Sequence, residues 1–342
     1  MKETFKEKAV ATMVLCDMEE EYAQLMTEFI KRHRNLPWEL HTYTDVEELL
    51  HTEREAALLV VAESACTDKL RQLSPGRLVV LNESGLMRWE NLRYVDKYQK
   101  AEEVLKSLLE IYMEIADAPL PRLRKNCKTV FIGNYSPVRR SMQTSLALTL
   151  SQLLAGEHPT LYLNFEQYAG LAELVPDMQT LDLADLLYFL NAEKEKFRLR
   201  MQTMVKRIGS LDYVPPMKSG QNLLTVTAVE WLGLLQKLEE LGEYEYVVLD
   251  LSESMQGLFQ ILRLCKKVFT VTKEDRIAKS KLLQYEQLLA LYDYGDVLEK
   301  TKRLTIPRIH RFPEELEQLT KGELAALARE LMEEIMQPDT GT

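Results

Sequence analysis

The residues with most chemical potential cluster between residues 129 and 148. An apolar run from Thr129 to Ile132, a polar loop and a helix-forming stretch from Gln143 follow one another. This is the layout of a strand, a phosphate-binding loop and a helix. Such a loop uses glycines so that backbone N–H groups can close around an anion, and a lysine for the outer phosphates. Here Arg139, Arg140 and Met142 stand where the glycines belong, and Gln143 stands where the lysine belongs. The hydroxyl pair Thr144 and Ser145 is retained, with Thr144 placed to meet Mg²⁺ if a nucleotide binds. A helix N-terminus still attracts anions, and arginine forks suit phosphate. The set Arg139, Arg140, Gln143, Thr144 and Ser145 is therefore the candidate nucleotide contact, in degenerate form. The bulky side chains favour a structural remnant, because they hinder wrapping of the backbone around an anion.

Two carboxylates complete this group. Asp250 ends the apolar run 246–249 and is the candidate metal-side carboxylate, and Glu166 follows the run 160–163. A second group lies nearer the N-terminus. Asp17 follows one apolar run, Glu63 another, and Lys97 a third, which places each at the C-terminal edge of an expected strand. A Glu63–Lys97 ion pair would hold that edge in one state, and a solvated Glu63 is the plainer alternative. The five histidines show no ligand spacing, and the four cysteines contain no C-x-x-C pair, which argues against metal and disulfide frameworks.

Strands and helices must position these groups. Residues 12–16, 38–43, 57–61, 77–81 and 92–95 read as strands, with helices at 20–33, 45–50 and 100–115. The continuous apolar runs at 57–61 and 77–81 are those of parallel strands buried on both faces. Two prolines, Pro119 and Pro121, beside a basic stretch mark residues 117–127 as a linker. Beyond it, strands are expected at 129–132, 160–163, 210–214, 246–249, 267–271 and 303–306, and helices at 143–154 and 314–336. Alternation of this kind predicts an α/β protein of two doubly wound domains, residues 1–116 and 128–342.

Bulk properties narrow the function. The 342 residues carry 46% hydrophobic and 28% charged side chains and a net charge of −10, which disfavours general nucleic-acid binding. No apolar run reaches the ~20 residues of a membrane span, and the charged start at Lys2, Glu3 and Lys6 lacks a signal-peptide core. A cytoplasmic protein with at most peripheral membrane contact is expected. The acidic stretch 314–336 would be repelled by anionic lipid, so packing or partner binding is its expected role.

The second region resembles the ParA/MinD branch of P-loop ATPases. Against that branch's K-G-G-x-G-K-[ST]-[ST] loop, Val138 replaces the lysine that reaches across a dimer, Gln143 the general lysine, and Thr144 matches. Asp250 matches the Walker B aspartate, while Asn164 and Glu166 stand at the two positions of a D-x-D strand end. The first region is similar to a flavodoxin-like (βα)5 phosphoreceiver with Asp17 and Lys97 in place, Asn82 near the switch position and no acceptor aspartate beside Glu63. This arrangement resembles the TadZ/CpaE family. The resemblance implies a homodimeric localisation and assembly factor for a Tad (type IVb) pilus or related secretion apparatus, cytoplasmic and at a cell pole, with pilus-apparatus proteins as partners. It also implies an impaired nucleotide site, with ATP and Mg²⁺ as the cofactors of the alternative: a slow, nucleotide-gated ATPase.

Overall fold

A computed structural model describes residues 11–32, 36, 38–52, 56–73, 76–115, 127–139, 141–175, 181–192 and 194–337. The chain divides into two compact units, one comprising residues 1–124 with 198–203 and the other residues 125–197 with 204–342. Residues 117–126 of the expected linker, and Arg140, lie outside the described residues.

In the first unit five strands form one parallel sheet: β1 (Ala11–Cys16), β2 (Trp38–Tyr43), β3 (Leu58–Ala62), β4 (Leu78–Asn82) and β5 (Arg93–Asp96), in the order β2-β1-β3-β4-β5. Each apolar strand contributes alternate residues to two cores. Met13, Leu15, Val60 and Leu81 pack with Ile30 and Leu108, while Val14, Cys16, Leu59 and Val61 pack with Leu49 and Leu70. Burial on both faces is what the continuous apolar runs specify. The 2-1-3-4-5 order is the flavodoxin-like doubly wound topology, whose switch point lies between β1 and β3. Asp17 and Glu63 follow those two strands directly.

The second unit holds a seven-stranded sheet: β6 (Val130–Asn134), β7 (Thr160–Asn164), β8 (Lys206–Ile208), β9 (Leu211–Tyr213), β10 (Tyr246–Asp250), β11 (Lys267–Thr272) and β12 (Thr301–Thr305). Their order is β12-β11-β6-β10-β7-β9-β8, parallel except for β8. The sequence reading missed β8. It pairs antiparallel with β9 across a tight turn at Gly209, whose φ of 61° suits a residue without Cβ. Gly209-Ser210 between two apolar residues was the available signal.

The helix Gln143–Glu157 is buried almost all round, from Leu146 through Leu150 and again at Leu154. Most of its leucines and Ala147 are buried, as befits a core helix. It packs against the sheet through Ile132, Val248 and Phe269, and the same core takes Leu324, Ala328, Leu331 and Ile335 of the helix Leu324–Met336. Thr149 and Ser151 sit in this helix without unmet polar groups, because their hydroxyls donate back to the carbonyls of Ser145 and Ala147.

The expected helix over 314–336 is in fact two pieces, a 3-10 turn at Leu316–Lys321 and the helix Leu324–Met336. Gly322 separates them in an extended conformation. The Glu323 carboxylate accepts the N–H groups of His310 and Arg311, pinning the preceding segment there. The apolar residues of this region are core, as their helical spacing implied. Truncating the fully buried Leu150 to alanine should cost about 2–5 kcal/mol, the usual range for a cavity of this kind. The midpoint of denaturant unfolding measures it, and an unchanged midpoint would contradict the placement.

Candidate functional site

The site is built on three strand ends of the second unit. Asn134 of β6 and Asn164 of β7 flank Asp250 of β10 in exact register. Partners in register on parallel strands share a sheet face, so the three side chains form one polar row beneath the helix Gln143–Glu157. Ligands of open α/β sheets bind beyond such carboxyl ends. Here a cleft of about 310 Å³ opens there, lined by Ser136, Val138, Arg139, Ser141 and Met142 of the loop, the helix start Gln143, Thr144 and Ser145, residues 166–168, and residues 251–254.

The described loop residues Ser136, Val138 and Met142 are held without glycines. Ser136 Oγ accepts the Val138 N–H and donates to the Val271 carbonyl, and Val138 is buried. Met142 caps the helix with φ +64°, a left-handed conformation that costs a side-chain-bearing residue roughly 1–2 kcal/mol. Glycine would hold it without that cost. The Met142 carbonyl accepts the Leu146 N–H and starts the helix.

Gln143 does not reach into the cleft as a phosphate-binding lysine would. Its Nε2 lies 2.5 Å from Asp250 Oδ1, 2.9 Å from the Leu251 carbonyl and 3.2 Å from the Asn134 carbonyl. With two N–H groups for three acceptors, the amide is a strut between β6 and β10. Asp250 is fully buried and accepts also from Tyr162 Oη at 2.9 Å, Asn164 Nδ2 at 3.3 Å and the Thr144 hydroxyl. All these donors are neutral. Burial raises the Asp250 pKa above the usual carboxylate value, and the bonds from Gln143, Thr144 and Tyr162 work against that rise. Burial, followed by the Asp250 charge, lifts the Tyr162 hydroxyl far above its ordinary value, so it stays a donor.

Glu166 is positioned by its own N–H, which donates to Asn164 Oδ1 at 2.8 Å. Its carboxyl pKa is pushed up to about 7, first by burial and then by Asp250, against a hydrogen bond from Thr144. The Thr144 hydroxyl lies near both carboxyls, and its single proton serves one of them at a time. Arg139 is exposed and forms an ion pair with Glu253, its Nε 2.8 Å from Oε1. Ser145 lines the cleft one residue beyond Thr144. The structure therefore brings Gln143, Thr144, Glu166 and Asp250 together and sets Arg139 apart on Glu253. Tyr162 was not foreseen as part of the site. Its position two residues before Asn164 on one strand face was the available signal.

A triphosphate does not fit the described residues as they stand. Among the described residues that line the cleft, Arg139 is the one cationic side chain, and Glu253 already holds it. Glu166 and Glu253 are also in the lining, with Asp250 buried behind Gln143. Among the described residues, a bound polyanion would meet the Glu253 carboxylate, with Glu166 adding negative charge above about pH 7, and no cation free of an ion pair. A Mg²⁺ ion at Thr144 and Asp250 would first have to displace Gln143 from the carboxylate.

In the first unit the expected group Asp17, Glu63 and Lys97 is only partly assembled. The fully buried Lys97 ammonium lies 2.9 Å from Asp17 Oδ2, 2.8 Å from Glu19 Oε2 and 2.8 Å from Glu83 Oε1, with the Tyr22 ring 4.7 Å away. Burial favours neutral lysine, but three carboxylates outweigh it and raise its pKa. Glu63 does not pair with Lys97, which corrects the first of the two expectations, and it is buried, which corrects the second. Its carboxylate turns instead to Ser84 and Arg88 in the loop after β4. Glu83 takes the expected role. Sequence reading missed it because the chain leaves β4 by a turn in which Asn82 Oδ1 accepts the Gly85 N–H, and this aims Glu83 inward.

No protein-family model matches the chain, and no curated protein matches its sequence. Solved structures similar to it include a ParA family ATPase from Chlorobium tepidum TLS, 16% identical over 57% of this chain and 82% of that one, with a TM-score of 0.43. The cobyrinic acid a,c-diamide synthase of Mycobacterium smegmatis is 12% identical over 61% and 94%, with a TM-score of 0.44. A chain of the MinC:MinD cell division protein complex of Aquifex aeolicus is 15% identical over 52% and 68%, with a TM-score of 0.40. Among the described residues no helix is long and apolar enough to cross a membrane.

Glu166 gives the site a pH dependence of definite sign. Its pKa of about 7 in the folded protein exceeds the ordinary 4.5, so the folded state binds the extra proton between these values. Stability contributed by the protonated form is therefore lost as pH rises through that window. Relative to wild type, Glu166→Gln should gain in melting temperature from pH 4.5 to 7.5 and then level off. A difference independent of pH would contradict the burial of this carboxyl.

Proposed function

We propose that this chain is an interaction scaffold that positions and assembles a Tad-type (type IVb) pilus or a related secretion apparatus, using a nucleotide-switch fold whose site is filled by its own side chains. The observation that carries this reading is the Gln143–Asp250 contact at 2.5 Å. A neutral amide spans the strand ends where a phosphate-binding cation would stand, and the carboxylate that would face Mg²⁺ is committed to protein donors. The scaffold then acts through contacts made without a nucleotide cycle. A homodimer formed over the cleft face fits the exposure of Tyr168, which lines the cleft, and of Leu174. Pilus-apparatus proteins are the proposed further partners, at the inner face of the membrane and at a cell pole. The net charge of −10 fits protein rather than nucleic-acid partners.

Calorimetry with ATP or ADP plus Mg²⁺ tests the reading directly: no saturable heat and no change in melting temperature are expected. Sedimentation should give the same oligomer with and without nucleotide. In cells, deletion should disperse the pilus complex, and unaltered pilus assembly would sink the proposed role. A second reading, a slow ATPase with nucleotide-gated dimerisation, draws on the Thr144 hydroxyl between Glu166 and Asp250, a trio that retains the acidic side of a metal site. Turnover abolished by Asp250→Asn would establish it instead.

A further inference from the structure

In the first unit, Glu63 follows β3 in the short 3-10 turn Glu63–Ala65, and its carboxylate is buried. Four donors from the loop after β4 converge on it. The N–H groups of Glu83 and Ser84 reach Oε2 at 3.0 and 2.9 Å, the Ser84 hydroxyl reaches Oε1 at 2.8 Å, and Arg88 Nε reaches Oε1 at 2.8 Å. Burial opposes ionisation, yet the bonds from Ser84 and Glu83 and the Arg88 charge prevail and hold the carboxyl below its usual pKa. The exchange is reciprocal. Glu83 Oε2 accepts the Ser64 N–H at 2.9 Å while its Oε1 takes Lys97, so each loop is capped by a carboxylate from the other.

Two adjacent backbone N–H groups, a hydroxyl and a guanidinium form a donor set suited to a tetrahedral oxyanion such as phosphate or sulfate. The same hydroxyl also accepts the Leu86 N–H at 3.3 Å, which couples the set to the exposed residues Leu86 and Met87. We propose that Glu63 is a tethered anion that permanently fills an oxyanion cradle formed by Glu83, Ser84 and Arg88. The loop carrying Leu86 and Met87 is thereby fixed in its anion-bound shape with no diffusible ligand. This proposal is independent of the second unit's function.

The full-length chain tests it. Glu63→Ala should empty the cradle, lower the melting temperature and speed amide exchange at residues 83–86 by about tenfold or more. Inorganic phosphate should then reverse both effects in this variant, leave wild type unchanged, and fail once Arg88→Gln is added. Sodium chloride at matched ionic strength should not substitute. The proposal is overturned if phosphate has no effect on Glu63→Ala, if it shifts wild type equally, or if the Arg88→Gln addition leaves the response intact. Should Glu63→Ala not fold, exchange in Glu63→Gln decides the matter. That variant keeps the volume and loses the charge, so faster exchange at 83–86 supports the cradle and unchanged exchange refutes it.

Discussion

A carboxylate buried without a cation is the constraint around which the second unit is arranged. Asp250 sits at the end of the central strand β10, inaccessible to water, and burying such a charge is costly unless hydrogen bonds replace its hydration. Gln143, Thr144, Tyr162 and Asn164 supply those bonds from two directions, the helix start above and the neighbouring strand beside. Each donor is fixed by regular structure, so the network ties the helix Gln143–Glu157 to β6, β7 and β10. Removing one donor would leave the carboxylate short of partners in a low-dielectric setting, where such a deficit is most costly.

The two units treat their strand edges alike. At the edge of the first sheet Lys97 neutralises part of the charge on Asp17, Glu19 and Glu83, while Glu63 occupies donors that could receive an anion. At the edge of the second, Gln143 occupies the carboxylate and Glu253 occupies Arg139. In both places several of the charged groups that could meet a ligand are engaged within the chain, while at the second edge the Asn134 amide finds no partner among the described residues. Such internal pairing fixes loop shape at the expense of ligand response.

Much of the scaffold was legible in the sequence because apolar periodicity reports burial directly. The runs 57–61 and 77–81 read as buried parallel strands and 246–249 as a strand, and the leucines after Gln143 at helical spacing are those of a core helix. Where Gly322 interrupts the C-terminal pattern, spacing alone did not reveal the break, because the apolar residues on either side return to the same core. β8 escaped notice since three residues carry too little alternation to register.

By itself the sequence determined which chemical groups stand at each strand end: no lysine at position 143, no glycine at 142, a carboxylate at 250 and another at 166. Only the tertiary structure decided whom those groups meet. Partner choice depends on loop paths and on residues more than a hundred positions apart, as with Arg139 and Glu253 or Gln143 and Asp250. No local pattern encodes such a pairing, because it arises when strand register brings separate loops to one edge and burial drives most polar groups there to find a partner, the Asn134 side chain being an exception among the described residues.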